Sequence, residues 1–319
     1  MNNIGIDFKV WVICITYNHS PYITEALDGF CLQQTNFPYI CTIIDDASTD
    51  GEQDLIRAYL QEHFNLEEDN VFTKYDETDD YTFFFAQHKH NQNCFFAVYY
   101  LKYNHYRLNK RKAPYLREWN NIKYEAICEG DDYWIHPKKL QRQVDFLDSH
   151  PEHSLCFHAN YSLYKDNRKT AYYPYRKDVE VCPIKDFILS GGNFMATASM
   201  VFVTKLGFGY RAWSKSCKVG DGPLMLTLAE RGRVGYINEV MCCYRVAAQG
   251  SWTQRILMDK KKKREHYKQT LQFWHEYDGW TNYKYHALIK RKILKNKFHY
   301  WMKKNNIMRS LILLIKKYK

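Results

Sequence analysis

The ten cysteines include no C-x-x-C pair, and the closest two are Cys242 and Cys243. This excludes the common zinc spacings and leaves no readable disulfide framework. No apolar run approaches the ~20 residues that a membrane-spanning helix needs. Residues 2–9 are mixed in character and lack the apolar centre of a secretory signal. Reduced thiols and a cytoplasmic location are the resulting expectation. Glycine is also missing from Ile15-Thr-Tyr-Asn-His-Ser20, which closes the first apolar run. That counts against a glycine-rich phosphate loop after the first strand. Acids are scarce near the C-terminus: residues 255–319 hold 19 Lys and Arg against 4 Asp and Glu, whereas residues 1–254 hold 27 against 31. The net charge of +11 therefore combines a body at −4 with a tail at +15. Such a tail implies an anionic surface nearby, either membrane or nucleic acid.

The 319 residues suffice for two domains, or one large domain with an appendage. A hydrophobic share of 45% and a charged share of 25% are those of a soluble globular chain. Aromatics reach 17%, with 27 tyrosines, which suits a core and also stacking on planar ligands.

Phe8 to Thr16 is a continuous apolar, β-branched run, the pattern of a strand buried on both faces. Ser20-Pro21 reads as the cap and first residue of a helix to about Gln33. Tyr39 to Ile44 is a second strand, followed by Asp45-Asp46-Ala-Ser-Thr-Asp-Gly51 and a helix from Glu52 to Phe64. Asp45 and Asp46 fit two roles: a capped turn, or acceptors for a ribose or base. Val71 to Thr73 reads as a third strand and Phe95 to Leu108 as an amphipathic helix. Further on, a helix is expected over Pro137–Ser149, a strand near the sheet edge over Leu155–Tyr164, and two short strands over Val234–Asn238 and Val240–Val246. His136, His150, His153 and His158 lack helical ligand spacing and read as surface or turn histidines.

The densest chemistry lies in Ala126-Ile-Cys-Glu-Gly-Asp-Asp-Tyr-Trp134, where a short apolar run ends in three carboxylates. A strand delivering acids from its last residues places them at the open edge of a sheet, where ligands of α/β folds sit. Adjacent acids repel unless a cation or a hydrogen-bond network offsets them. Mg²⁺ typically takes one or two carboxylates plus substrate phosphates. An isolated Asp-Asp is more often a solvated turn, so the rest of the chain decides.

Three segments, Ile15-Thr-Tyr-Asn18, Ile44-Asp-Asp-Ala-Ser-Thr-Asp-Gly51 and Glu129-Gly-Asp-Asp132, resemble in order and spacing the N-terminal signatures of family 2 glycosyltransferases. The resemblance runs from about Lys9 to Trp252. It implies a GT-A fold: an α/β, Rossmann-like, mostly parallel mixed sheet with flanking helices. Residues 1–253 would form that domain and residues 254–319 a basic helical C-terminal extension. It further implies an inverting, metal-dependent transfer of sugar from a nucleotide-diphosphate donor, UDP-linked by expectation, to a hydroxyl of a glycan or lipid-linked acceptor in surface polysaccharide synthesis.

By the same resemblance, Thr16, Tyr17, Asp45 and Asp46 bind the donor nucleoside, and Glu129 and Gly130 approach its ribose. Asp131 holds Mn²⁺ or Mg²⁺ against the diphosphate, with Asp132 as the alternative ligand one residue on. Asp221, in Lys218-Val-Gly-Asp-Gly-Pro-Leu-Met225, matches the catalytic base; as structure alone it is a good helix N-cap. Thr197 and Ser199 are candidates for an acceptor pocket. Where relatives often carry glycine and arginine near the donor phosphates, this chain has Asn91-Gln-Asn-Cys94. Arg245 and Trp252 stand where relatives often have a histidine.

Beyond Trp252 the residues predict basic helices near 254–277, 283–303 and 307–317. Leu311-Ile-Leu-Leu-Ile315 is of interfacial rather than spanning length. A peripheral position on the inner face of an anionic membrane is therefore expected, and no nucleic-acid partner. The competing readings are a nucleotidyltransferase acting on a sugar phosphate and a non-enzymatic nucleic-acid-binding protein using the basic tail. The glycine-free first loop counts against the former, and the acidic body against the latter.

Overall fold

The computed structural model describes residues 5–67, 69–191, 194–217 and 219–304. Backbone contacts divide the chain into two compact units. The first holds residues 1–182, 195–208 and 227–255; the second holds 183–194, 209–226 and 256 onward. This division differs from the boundary expected at residue 253, because two internal segments group with the C-terminal helices.

The first unit is built on one sheet. Its strands are β1 (Val10–Thr16), β2 (Tyr39–Asp45), β3 (Lys74–Glu77), β4 (Tyr81–Gln87), β5 (Cys94–Leu101), β6 (Tyr124–Ile127), β7 (Tyr133–Trp134), β8 (His153–Leu163), β9 (Lys169–Tyr172), β10 (Val201–Val203) and β11 (Arg233–Arg245). The order is β3-β4-β5-β2-β1-β6-β10-β8-β11-β7, with β9 paired to β8. β5, β2, β1 and β6 pair parallel with one another, as do β8 and β11, and the other pairings are antiparallel. This mixed α/β architecture with a parallel centre is the expected fold class.

The parallel centre explains the continuous apolar runs. Val10, Val12 and Cys14 of β1 face one way, with helices α1 (Ile23–Cys31), α2 (Glu52–His63) and α4 (Lys139–Ser149) contributing Leu27, Phe30, Ile56, Leu60, Leu140 and Val144 to the same cluster. Trp11 and Ile13 face the other way, into Ile40, Ile44, Phe83, Phe85, Phe95 and Trp119. Each such side chain, fully buried, contributes roughly 1.5–3 kcal/mol.

Several expectations are corrected here. Residues 94–101 form a strand buried along its whole length rather than a helix, because hydrogen bonds to β2 and β4 flank it. α1 starts at Ile23; the carbonyl of His19 takes the first-turn N–H groups of Tyr22 and Ile23, and Ser20 makes no cap bond. α2 is entered through Gly51 at φ 89°, a left-handed position that suits glycine. β8 is interior, between β10 and β11, and carries His153 and His158 as buried residues. Residues 233–245 form one strand with register shifts in its middle rather than two.

The second unit contains α5 (Ile184–Ser190), the start of α7 (Asp221–Arg231), α9 (Lys260–Trp280) and α10 (His286–Lys304). Short helices α3 (Ala113–Leu116), α6 (Thr204–Gly207) and α8 (Trp252–Leu257) complete the list. Trp213 packs on Phe273, Tyr277 and Trp280, and Lys292 donates to the Leu189 carbonyl at 2.8 Å, tying α10 to α5. No helix among the described residues is long and apolar enough to cross a membrane. Residues 307–317, including the 311–315 apolar stretch, lie outside the described residues.

Candidate active site

The parallel register aligns the ends of three strands. Thr16 pairs with Asp45, which pairs with Tyr100, and Ile13 pairs with Ile127. The loops after β1, β2 and β6 therefore leave the same edge side by side. They carry Tyr17–Ser20, Asp46–Asp50 and Glu129–Asp132, the three segments singled out in the sequence.

A buried glutamate joins the first two loops. Glu52, fully buried, accepts the Thr16 hydroxyl, the His19 N–H at 2.9 Å and the Ser48 hydroxyl at 2.8 Å. Burial pushes its carboxyl up while these bonds pull it down. Asn18, at φ 56°, donates its N–H to Ser48 Oγ and accepts the Thr49 N–H on its side-chain oxygen, and Ser20 N–H donates to Asp50 at 3.0 Å. The third loop packs on this frame. A side chain at Gly130 would stand 2.7 Å from Thr16 Cβ and 3.2 Å from His19 Nδ1, so only glycine fits there.

Asp46 is nearly buried, and its carboxylate is already engaged. It accepts the N–H groups of His105 (2.7 Å) and Tyr106 (3.2 Å) and pairs with Lys112 at 2.8 Å. It thus anchors the loop 103–112 to the strand edge. Asp45 accepts Ser48 N–H and the Gln53 amide through Oδ1, while its buried Oδ2 has no partner among the described residues. Burial pushes the Asp45 carboxyl up. Thr16 is buried with its hydroxyl committed, Tyr17 is half-buried, and Glu129 is exposed.

The two adjacent acids diverge. Asp132 turns inward and accepts the backbone N–H of Arg245 at 2.8 Å. Burial, reinforced by the charge of Asp131, raises its carboxyl well above the ordinary range. Asp131 stands with Oδ2 4.0 Å from His19 Nε2. Thr16 Oγ1 gives its one hydrogen to Glu52, so as an acceptor it takes His19 Nδ1–H at 3.2 Å. His19 Nε2 faces the Asp131 carboxylate at a separation too long for a hydrogen bond. Among the described residues no three His, Cys, Asp or Glu side chains are spaced to hold a metal by themselves. The arrangement therefore fits a hard divalent ion that draws its other ligands from phosphate oxygens and water.

Arg245, at the end of β11, holds the acid turn from behind. Its guanidinium donates to the Asp131 carbonyl at 2.7 Å and to Glu25 at 2.5 Å, between the rings of Tyr22 (4.7 Å) and Tyr133 (4.6 Å). His19, Glu52 and Lys112 were not assigned a role from the sequence. Their partners lie up to 66 positions away, and the registers of β1 with β2 and of β2 with β5 bring them together. Ser199, expected near an acceptor, is fully buried and gives its hydroxyl to the Ala196 carbonyl at 2.7 Å.

Asp221 belongs to the second unit, where it is the first residue of α7 rather than its cap. Its side chain reaches solvent although it is crowded by protein. That crowding moves its carboxyl upward, and its own backbone N–H and Arg211 act against the shift. Pro223 lies in the first turn, where its missing N–H is harmless.

Residues 11–79 match the model for glycosyl transferase family 2. An uncharacterised protein of Mycobacterium tuberculosis (strain H37Rv) is 32% identical over 249 residues, covering 76% of this chain and 60% of that protein. A protein of Mycobacterium bovis, also uncharacterised, matches to the same extent. The chain thus spans about 60% of the length of these curated relatives. Among solved structures, S. aureus TarS residues 1–349 in complex with UDP-GlcNAc superposes with a TM-score of 0.54 at 14% identity, covering 84% of this chain and 66% of that one. The same protein with UDP gives 0.51 at 15% identity, covering 84% and 65%. At such identity the likeness is one of fold. The matched residues 11–79 carry β1, β2 and the loops that follow them, and over these residues the chain is similar to glycosyl transferase family 2.

Proposed function

We propose that this protein transfers a sugar from a nucleoside-diphosphate donor to an acceptor hydroxyl, with inversion at the anomeric carbon. The observation that carries the reading is the Asp131–His19 pair, 4.0 Å apart at the end of the parallel strands, beside the buried Asp45 and Asp46. The crevice at the carboxyl ends of such strands is the usual ligand site. Tyr17 supplies a ring for the base. Asp45 Oδ2, buried and without a partner, is an acceptor for a donor N–H or hydroxyl. Asp46 positions the loop 103–112, and Glu129, exposed at the turn, is the ribose acceptor.

Asp131 and His19 would hold Mn²⁺ or Mg²⁺, which supplies positive charge against the departing diphosphate. Asp132 and Arg245 keep the turn in place. Asp221 takes the proton of the acceptor hydroxyl, a role supported by its match to the family's base, and such work typically contributes ~10²–10⁴-fold. The TarS complexes favour a UDP-linked donor. The acceptor in this reading is a glycan or lipid-linked glycan of a surface polysaccharide, reached at the inner face of a membrane by the basic tail.

The test is a thermal-shift panel of nucleotide sugars with and without Mn²⁺, run on the native chain and on Asp131→Asn. A metal-dependent shift for one donor class, lost in Asp131→Asn, is the expected result. A shift that ignores both metal and Asp131 would refute the cation site, and no shift with any donor would refute the reading.

A further inference from the structure

The second unit presents a surface that sugar transfer does not use. α10 carries seven Lys and Arg and no acid. Its inner face packs through Ile289, Lys292 and Ile293, all buried. Its outer face repeats apolar residues at i, i+4 and i+7: Leu294, Phe298 and Trp301 are 58%, 61% and 52% exposed. Such a stripe on a solvent face is the wrong way round for a helix that only supports a core. Lys290, Arg291, Lys295 and Lys297, also exposed, flank it.

The partner helix adds charge at the same end. Tyr267 of α9 stacks on Tyr300 of α10 at 3.8 Å, so the start of α9 lies beside the end of α10. That start is Lys260-Lys-Lys-Lys-Arg264, exposed throughout and fixed by Asp259, which caps Lys261 and Lys262. Met258, 80% exposed, precedes it.

We propose that this end of the α9–α10 hairpin rests on an anionic lipid bilayer, with Leu294, Phe298 and Trp301 in the interface and the flanking cations at the headgroups. The inference makes specific the membrane position included in the proposed function. An apolar stripe bordered by lysine, with tryptophan at the edge, is the pattern of interfacial helices. Charge selects the occupant. A second copy of this face would bring like charges together, and the segment 305–319 carries four Lys and Arg with no acid. An anionic bilayer attracts all of them.

The experiment uses the full chain. Vesicles of phosphatidylcholine alone, and of phosphatidylcholine with phosphatidylglycerol, are sedimented with three proteins. These are the native chain, Leu294→Gln/Phe298→Gln/Trp301→Gln, and Lys261→Gln/Lys262→Gln/Lys263→Gln. The native chain should partition at least tenfold better onto the anionic vesicles, and each variant should lose most of that gain. Far-UV circular dichroism checks that these surface variants fold. Equal partitioning of the apolar variant, equal binding to neutral vesicles, or no binding at all overturns the proposal. So does a dimer of the native chain that the apolar substitutions dissociate. Donor-induced thermal shifts on the same samples separate this outcome from failure of the catalytic reading.

Discussion

Replacing Gly130 with alanine probes the joint between the acid turn and its frame. The new Cβ would sit 2.7 Å from Thr16 Cβ and closer still to the Thr16 hydroxyl. Thr16 cannot turn aside, because its hydroxyl bonds Glu52 and its neighbour His19 is held by the same carboxylate. The turn 129–132 must therefore move. Overpacking of this kind costs about 1–3 kcal/mol of stability. A displacement near 1 Å at a reacting group costs about 10²-fold in rate. Urea unfolding and donor turnover read the two effects. Thr16→Ala removes the nearest atom and leaves the Cβ contact, so it should relieve part of the strain. The double variant should then be less damaged than the two single changes summed, by about 1 kcal/mol. Native-like stability and turnover in Gly130→Ala, or strict additivity in the cycle, would show that the packing does not place the turn.

Arg245→Lys retains charge but loses the planar fork that spans Asp131 and Glu25 between two tyrosines, so turnover should fall at least tenfold and stability by about 2–3 kcal/mol; native-like kinetics would remove Arg245 from its positioning role. Asp46→Asn weakens the hold on residues 103–112, and hydrogen exchange there should rise while that in β1 stays slow. Glu125, on β6 between Trp11 of β1 and Phe202 of β10, has its carboxyl pushed up to about 8 by burial. The folded protein therefore holds that proton more tightly than the unfolded chain. The associated stability is fully present below about pH 4.5 and is lost as the pH rises through about 8. Glu125→Gln should be neutral at about pH 4 and stabilising by about 1–2 kcal/mol at about pH 9, a figure moderated by the side chain's partial exposure; urea midpoints at the two pH values check it.

How much of this was legible depends on how far apart the interacting residues lie. β1 and β2 were readable because strands buried on both faces leave unbroken apolar runs. The same feature misled at β5, since a run such as Cys94–Leu101 fits a helix or a strand until its neighbours are known. The acids of the three loops were visible as types at a spacing. Their division of labour was not: Asp131 faces His19 while Asp132 faces Arg245, a matter of one turn's geometry. Glu52 entered only as the start of a helix, and its bonds to Thr16 and His19 exist only across the strand pair. His153 and His158 looked like surface residues because β8 mixes His, Ser and Asn with its apolar residues and leaves no unbroken run to mark it as interior.

The irregular middle of β11 sets the phase of everything beyond it. Along β8, Ile237 stands opposite His158, Val240 opposite Ala159 and Cys242 opposite Asn160, so Asn238, Glu239 and Met241 are supernumerary on β11. Side chains alternate with a period of two, so these three residues fix which residue of β11 meets each later residue of β8, and Arg245 arrives opposite Leu163. The extra residues of a distant bulge thus act as a ruler that decides where the clamp on the acid turn sits.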